Sequence, residues 1–242
     1  MQKKSPYSYT YGSPGLSSGV DHLSSLKIAL DFKLHSNSAG AMTMPSYKLT
    51  YFNMRGRAEL PRYIFAYAGI AFEDRRVEWR DWPSIKKTFP LGKLPVLEVN
   101  GLPLTQSLAI ARFLAKEAGL VGNSRLAEAQ ADALVDTLND FTLLIPWRED
   151  NPQIKTQKID MLFQSHAPKL LDHLQCHLGD RAWLVGDSET WADLYCHVCF
   201  TTFSVLRPGF ADHHPALCGL TDRVEAIPNI AKWIQSRPTT EF

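Results

Sequence analysis

The chain has 242 residues, enough for one large domain or two small ones. Its 26 basic and 25 acidic residues leave a net charge of +1, which gives no general electrostatic reason to bind nucleic acid or an anionic membrane. With 45% hydrophobic and 11% aromatic residues it can bury a core, and its apolar runs stop far short of the roughly 18 residues of a membrane helix. Four cysteines do not make a disulfide scaffold. Reduced thiols and no secretory signal pattern predict a cytoplasmic protein.

Residues 1–43 differ from the rest. They are rich in Ser, Gly and Tyr and offer little apolar surface to offset the entropy of ordering, so a disordered extension is expected. The stretch from Val20 to Leu34 has amphipathic spacing, but Lys27 and Asp31 interrupt the apolar run that a secretory signal needs. The segment contains no arginine, unlike a mitochondrial transit peptide. Met42 and Met44 stand where the folded pattern begins.

From 44 to 121 the pattern predicts a small α/β unit. Tyr47–Phe52 alternates and reads as a strand, followed by a turn at Asn53–Gly56 and a helix from Arg57 to Gly69. Phe72–Glu78 reads as a second strand, and Ser84–Thr88 as a short polar helix. Leu94–Val99 and Leu102–Thr105 read as strands joined by the tight turn Asn100-Gly101. Gln106-Ser107 opens a helix running to Gly119, with Ser107 as an N-cap that can also bond a ligand. A proline entering a strand, as Pro95 does, is a candidate cis peptide; a cis Leu94–Pro95 bond would leave the Leu94 backbone free to pair with an extended peptide. The order βαβ then ββα is the thioredoxin-like arrangement. A disulfide oxidoreductase of that fold carries Cys-x-x-Cys after the first strand, whereas this chain has Tyr51, Asn53, Arg55 and Arg57 there. Its thiol must therefore be imported. The one Cys-x-x-Cys, Cys196 to Cys199, has no second ligand pair and reads as buried structural cysteine.

From 124 to 242 the spacing predicts an all-α domain. Helices are expected at Arg125–Ile145, at Lys155–Leu178 with a kink at Pro168, at Thr190–Phe203 behind a capping box closed by Asp193, and at Leu217–Ala226 and Ile230–Ser236.

In this order the segments YKLTYFNMRGRAE, DWP, GKLPVLEV, QSLAIARFLAK, VDTLNDF and SETWAD, the last followed by Tyr195, resemble the sigma-class glutathione transferases. The resemblance spans Met44 to Phe242 and is strongest to the branch that isomerises prostaglandins. It implies a thioredoxin-like glutathione-binding domain with an all-α domain behind it. Tyr51 would then hydrogen-bond the glutathione sulfur, with Arg57 adding positive charge beside it. Trp82, Lys86, Lys93 and Leu94 would surround the glycyl and cysteinyl parts, and Gln106 and Ser107 the γ-glutamyl carboxylate. Asp140 would reach the γ-glutamyl amine of a second subunit, so a homodimer is implied. Met54, Gly56, Arg57, Trp147, Lys155 and Cys199 would line the lipid site, while Asn139, Thr142 and Thr239–Phe242 are not expected to discriminate substrates.

The implied activity is isomerisation of prostaglandin H2 to prostaglandin D2, with conjugation of glutathione to electrophiles as a second activity. The alternatives are a general detoxifying transferase or peroxidase, and a non-catalytic crystallin-like protein, against which the retained Tyr51 and Arg57 argue. The resemblance also aligns Asp136, Asn139 and Asp140 with three carboxylates that hold Mg²⁺ or Ca²⁺ at a dimer interface. Asn139 keeps an oxygen ligand but removes a charge, so only weak cation binding is expected.

Overall fold

The computed structural model of the protein describes residues 45–242. The extension expected at 1–43 lies outside the described residues. The first part of the described chain is a four-stranded sheet in the order β2-β1-β3-β4. Strand β1 (Tyr47–Phe52) pairs in parallel with β2 (Glu73–Val77) and antiparallel with β3 (Val96–Val99), which pairs antiparallel with β4 (Leu102–Thr105). The alternation read in β1 does not appear in its burial: five of its six residues are buried. A central strand covered on both faces has no solvent side to alternate toward. The edge strands carry the polar load. Strand β2 reads Glu-Asp-Arg-Arg-Val, and β4 places Pro103 where no further strand asks for its missing N–H. Strand β3 starts later than expected, at Val96, and Leu94–Pro95 is cis. Asn100 and Gly101 both have positive φ, the conformation that closes a two-residue hairpin along the strand twist.

Helix α1 (Glu59–Ala68) follows a single 3-10 turn at Gly56–Ala58 and stops at Gly69, whose φ of 64° is the left-handed cap that glycine adopts at no steric cost. A short helix, α2 (Trp82–Ile85), precedes β3, and α3 (Ser107–Glu117) follows β4.

The remaining helices are α4 (Arg125–Leu144), α5 (Pro152–Ser165), α6 (Ala167–Leu178), α7 (Trp191–Leu206), α8 (Pro215–Glu225) and α9 (Pro228–Ser236). One expectation fails: Lys155–Leu178 is not one kinked helix but two, separated at His166. Inside a continuous helix Pro168 would remove a needed donor and press on the carbonyl four residues back; in the first turn of α6 its missing N–H is one the helix does not use. The capping box before α7 forms, with the Asp193 carboxylate accepting from Thr190 N–H at 2.8 Å and from Leu184 N–H at 2.8 Å. Helix α7 is the spine of this half: Trp191, Leu194, Cys196, Cys199 and Phe203 are buried, and the helix packs on α1 and α3 as well as on α4 and α8. That contact brings the turn after β1 and the wall of α7 to the same cleft.

Candidate functional site

Tyr51 is the penultimate residue of β1, buried, with its hydroxyl turned back under the following turn. The Arg57 backbone N–H donates to that hydroxyl at 3.2 Å. The oxygen is thus used as an acceptor, and its own O–H remains to be given to something else. Burial raises the Tyr51 pKa above the usual phenol value, opposed by the Arg57 N–H and by the charges of Arg57 and Arg62. The group is therefore a neutral donor at physiological pH, not a phenolate. A donor of this kind, with a guanidinium beside it, favours an anion and in particular a thiolate over a thiol.

Gly56 makes the geometry available. Its φ is +42°, and a Cβ there would fall 2.9 Å from the Tyr51 hydroxyl oxygen and 3.0 Å from its ring. The Tyr51 ring is fixed in the core, so the turn would have to give. Gly56→Ala is expected to lower turnover by about tenfold or more, because displacing a reacting group by an ångström costs on that scale. It should also lower stability by about 1–2 kcal/mol through backbone strain. Steady-state rates beside a denaturation midpoint check this; an alanine variant with native turnover would show that the turn is free to move.

The Tyr51 hydroxyl opens on a cavity of about 480 Å³, whose lining includes Tyr51, Met54, Gly56, Arg57, Ser107, Trp147 and Cys199. Those seven come from four separate stretches of chain. The lining also contains residues that sequence reading did not assign to it: Phe52, Leu60, Trp79, Leu108, Arg148, Tyr195, Val198 and Thr202. Trp79 is 63% exposed yet stacks on Phe52 with ring centroids 3.8 Å apart. Its only sequence signal was an aromatic placed just after a strand. Asn139, Thr142 and Phe242, which carried no expected weight for substrate, are on the wall as well. Phe242 meets the Trp147 ring edge-on at 5.5 Å, and its carbonyl accepts from the Arg55 backbone N–H at 2.6 Å. Cys199 cannot supply the nucleophile, because burial holds its thiol well above the ordinary value and so protonated.

Trp82, Lys86, Lys93, Leu94 and Gln106 are not in that lining. Trp82 meets Phe52 edge-on at 5.3 Å, one ring away from the wall. Lys86 and Lys93 are exposed, and Lys86 lies over Gly92, where an added Cβ would be 3.2 Å from its Cε. The Leu94 N–H and C=O have no backbone partner among the described residues, as an extended peptide would require. Gln106 has a φ of 73° at the N-cap position and makes no side-chain cap bond, and Ser107 is the first residue of α3, not its cap. These groups fit a tripeptide with two carboxylates: two lysines, a free backbone edge, a helix N-terminus and a hydroxyl donor.

One expectation is corrected. Lys155, half-buried in the first turn of α5, is not in the cavity lining; the cation that is there is Arg148, from the connection before that helix. Asp136, Asn139 and Asp140, expected to hold a cation only weakly and at a dimer interface, have different surroundings within the single chain. Asn139 lines the cavity, Asp140 is exposed, and Asp136 lies 4.0 Å from Arg112, which already bonds Asp132. No group of three His, Cys, Asp or Glu side chains is placed to hold a metal among the described residues.

No helix among the described residues is long and apolar enough to cross a membrane. Residues 47–116 match the glutathione S-transferase N-terminal domain family, and residues 136–237 match the glutathione S-transferase C-terminal domain family. The chain is 55% identical to the hematopoietic prostaglandin D synthase of Gallus gallus over 81% of its own length and 99% of the relative's. It is 52% identical to that of Homo sapiens over 82% and 100%. The solved structure of rat hPGDS complexed with a quinoline is 52% identical and superposes with a TM-score of 0.79, covering 81% of this chain and all of that one.

Proposed function

The chain belongs to the glutathione S-transferase family, an enzyme family that uses glutathione, and from that premise we propose that it isomerises prostaglandin H2 to prostaglandin D2. The observation that carries the reading is the Tyr51 hydroxyl, with its own proton free, at the opening of an apolar cavity of about 480 Å³. That volume is within the range of small-molecule sites, roughly 300–1,000 Å³. The relatives at 52–55% identity, which cover nearly all of this folded region, support the choice of substrate.

When bound, glutathione supplies the sulfur nucleophile. Lys86 and Lys93 face its glycyl carboxylate, Trp82 packs beside it, and Leu94 pairs with its backbone. Gln106 and Ser107 meet the γ-glutamyl carboxylate at the start of α3. Tyr51 donates to the sulfur, and Arg57 keeps positive charge next to it. Met54, Gly56, Trp147 and Cys199 form part of the wall for the lipid. In the overall change the endoperoxide O–O bond breaks, the C11 hydrogen leaves as a proton, one oxygen becomes a carbonyl and the other takes up a proton. No electrons are consumed, so glutathione is recovered. The protein's share is proximity and a stabilised thiolate.

The same reading divides the folded chain into a glutathione-binding unit, 44–121, and a helical unit, 124–242. It also makes the protein a homodimer, in which Asp140, exposed on α4, would reach the γ-glutamyl amine bound to a second copy. A monomer by light scattering at working concentration would contradict that part. Four free cysteines fit a reducing compartment such as the cytoplasm. Recovery of the protein from the secretory fraction would contradict the location.

The deciding experiment feeds prostaglandin H2 and glutathione to the purified chain and identifies the product. Prostaglandin D2 formed well above the spontaneous yield, and only with glutathione, is expected. Spontaneous product ratios would sink the reading and leave a conjugating transferase, which turnover of a chlorodinitrobenzene-type electrophile would reveal.

A further inference from the structure

The cavity lining holds two charged side chains, both arginines, and no acidic one. The Arg57 backbone N–H is bonded to the Tyr51 hydroxyl and its charge acts on that phenol, while its side chain is exposed. Arg148 has no such tie to the phenol. It is exposed, in the connection between α4 and α5, and belongs to no ion pair among the described residues. The nearest carboxylate in sequence, Glu149, is taken by Lys158.

The backbone that carries Arg148 is pinned. Trp147 N–H donates to Ile145 C=O at 2.8 Å, Glu149 N–H to Pro146 C=O at 3.2 Å, and the Trp147 indole N–H to Thr142 C=O at 3.3 Å. A cation is thus held at an apolar wall by a turn that does not need it. The guanidinium is exposed and solvated, and with no carboxylate of the protein holding it, it is available to an anion that enters the cavity.

We propose that Arg148 anchors the carboxylate of an acidic amphiphile whose apolar chain occupies the cavity, and that this contact makes the site select acids over their neutral counterparts. The proposal rests on the reading that a lipid acid is the substrate, and it names the residue that recognises the acid end. Arg148 is a specificity-determining residue, remote in sequence from the group that meets the sulfur. Its planar fork suits a carboxylate, and the surrounding water limits the contact to a modest size.

The test is binding, not turnover. Trp79 and Trp147 are both in the lining, so quenching of tryptophan fluorescence reports occupancy. Arachidonic acid and its methyl ester are titrated into the full chain with glutathione present. The wild type should prefer the acid. Arg148→Ala should weaken the acid by about three- to tenfold, the range of one partly solvated charge-assisted contact, and shift the ester less than about twofold. Arg148→Lys should keep most of the preference, Lys155→Ala should keep all of it, and high salt should erase it. A wild type that binds both equally overturns the proposal. So does an alanine variant that loses acid and ester alike, which is packing, or neither. Loss of the preference in Lys155→Ala transfers the role to that lysine. A chain that shows the acid preference yet forms no prostaglandin D2 loses the isomerase reading while Arg148 keeps its role.

Discussion

Tyr51→Phe should lower glutathione-dependent turnover by about a hundredfold, the scale on which a single preorganised donor to a developing or bound anion acts. A free thiol with a pKa near 8.5 is mostly protonated at neutral pH, so each unit by which the site lowers that value gains about 1.4 kcal/mol of thiolate. The phenol can do this only as a donor. The geometry meets that need: its oxygen accepts from Arg57 N–H, and burial holds it protonated. Removing the oxygen leaves the tripeptide's carboxylate contacts untouched, so KM for glutathione should change by less than about twofold. It also leaves the Arg57 N–H without its acceptor, which costs about 1 kcal/mol in a partly buried turn. The more telling readout is the pH profile. The rise of rate with pH tracks ionisation of the bound thiol, so in the variant it should move up toward the value of free thiol. A phenylalanine variant with an unmoved profile and native turnover would take Tyr51 out of the mechanism and return the site to Arg57 alone.

Much of this arrangement is written in short-range patterns, and what is missed is long-range. The strand at Tyr47–Phe52, the Asn100-Gly101 turn, the Gly69 stop and the Thr190–Asp193 box all declare themselves within a few residues, because their causes are local: a period, a φ value, a cap. Pro168 was equally visible, but a proline restricts the helix on its N-terminal side whether the chain kinks or restarts, and the periodicity on either side cannot distinguish them. The cavity wall is a different kind of object. Phe242 belongs to it because Arg55 donates its guanidinium to the carbonyl of the neighbouring Glu241, 186 residues away, at 2.6 Å. Trp79 belongs to it because Phe52 offers a ring to stack on. Nothing within a few residues of either side chain encodes these contacts. Asn139 lines the cavity while its neighbours Asp136 and Asp140 do not, a difference in facing that the resemblance did not carry. Resemblance placed Lys155 in the lipid site, whereas the fold put Arg148 there, in a loop whose side-chain directions no periodicity predicts.

The largest loss of stability is expected from Glu59→Ala, at the first position of α1. The Glu59 side chain is 2% exposed and accepts from three donors: Arg237 at 2.6 Å, the Trp233 indole at 2.9 Å and Arg62 at 3.2 Å. Arg62 is wholly buried in turn, bonded also to Asp74 at 3.0 Å and to the Met54 carbonyl at 2.8 Å. The carboxylate therefore ties the helix after the Tyr51 turn to α9, and through Arg62 to the sheet. Deleting it strands an indole N–H and leaves two guanidiniums, one fully buried, short of a counter-charge. Breaking a buried pair in this way costs about 3–5 kcal/mol, a large share of a folded domain's 5–15. Glu59→Gln, which keeps the volume and one acceptor, should cost less than the alanine. Denaturant midpoints with unchanged slopes would measure both. Because Arg237 leads into the segment that lays Phe242 on the cavity wall, the alanine variant should also bind apolar ligands more weakly under conditions where it is still folded. A shift below about 1 kcal/mol would mean that water reaches this cluster and replaces the carboxylate, and that α1 and α9 are held together without it.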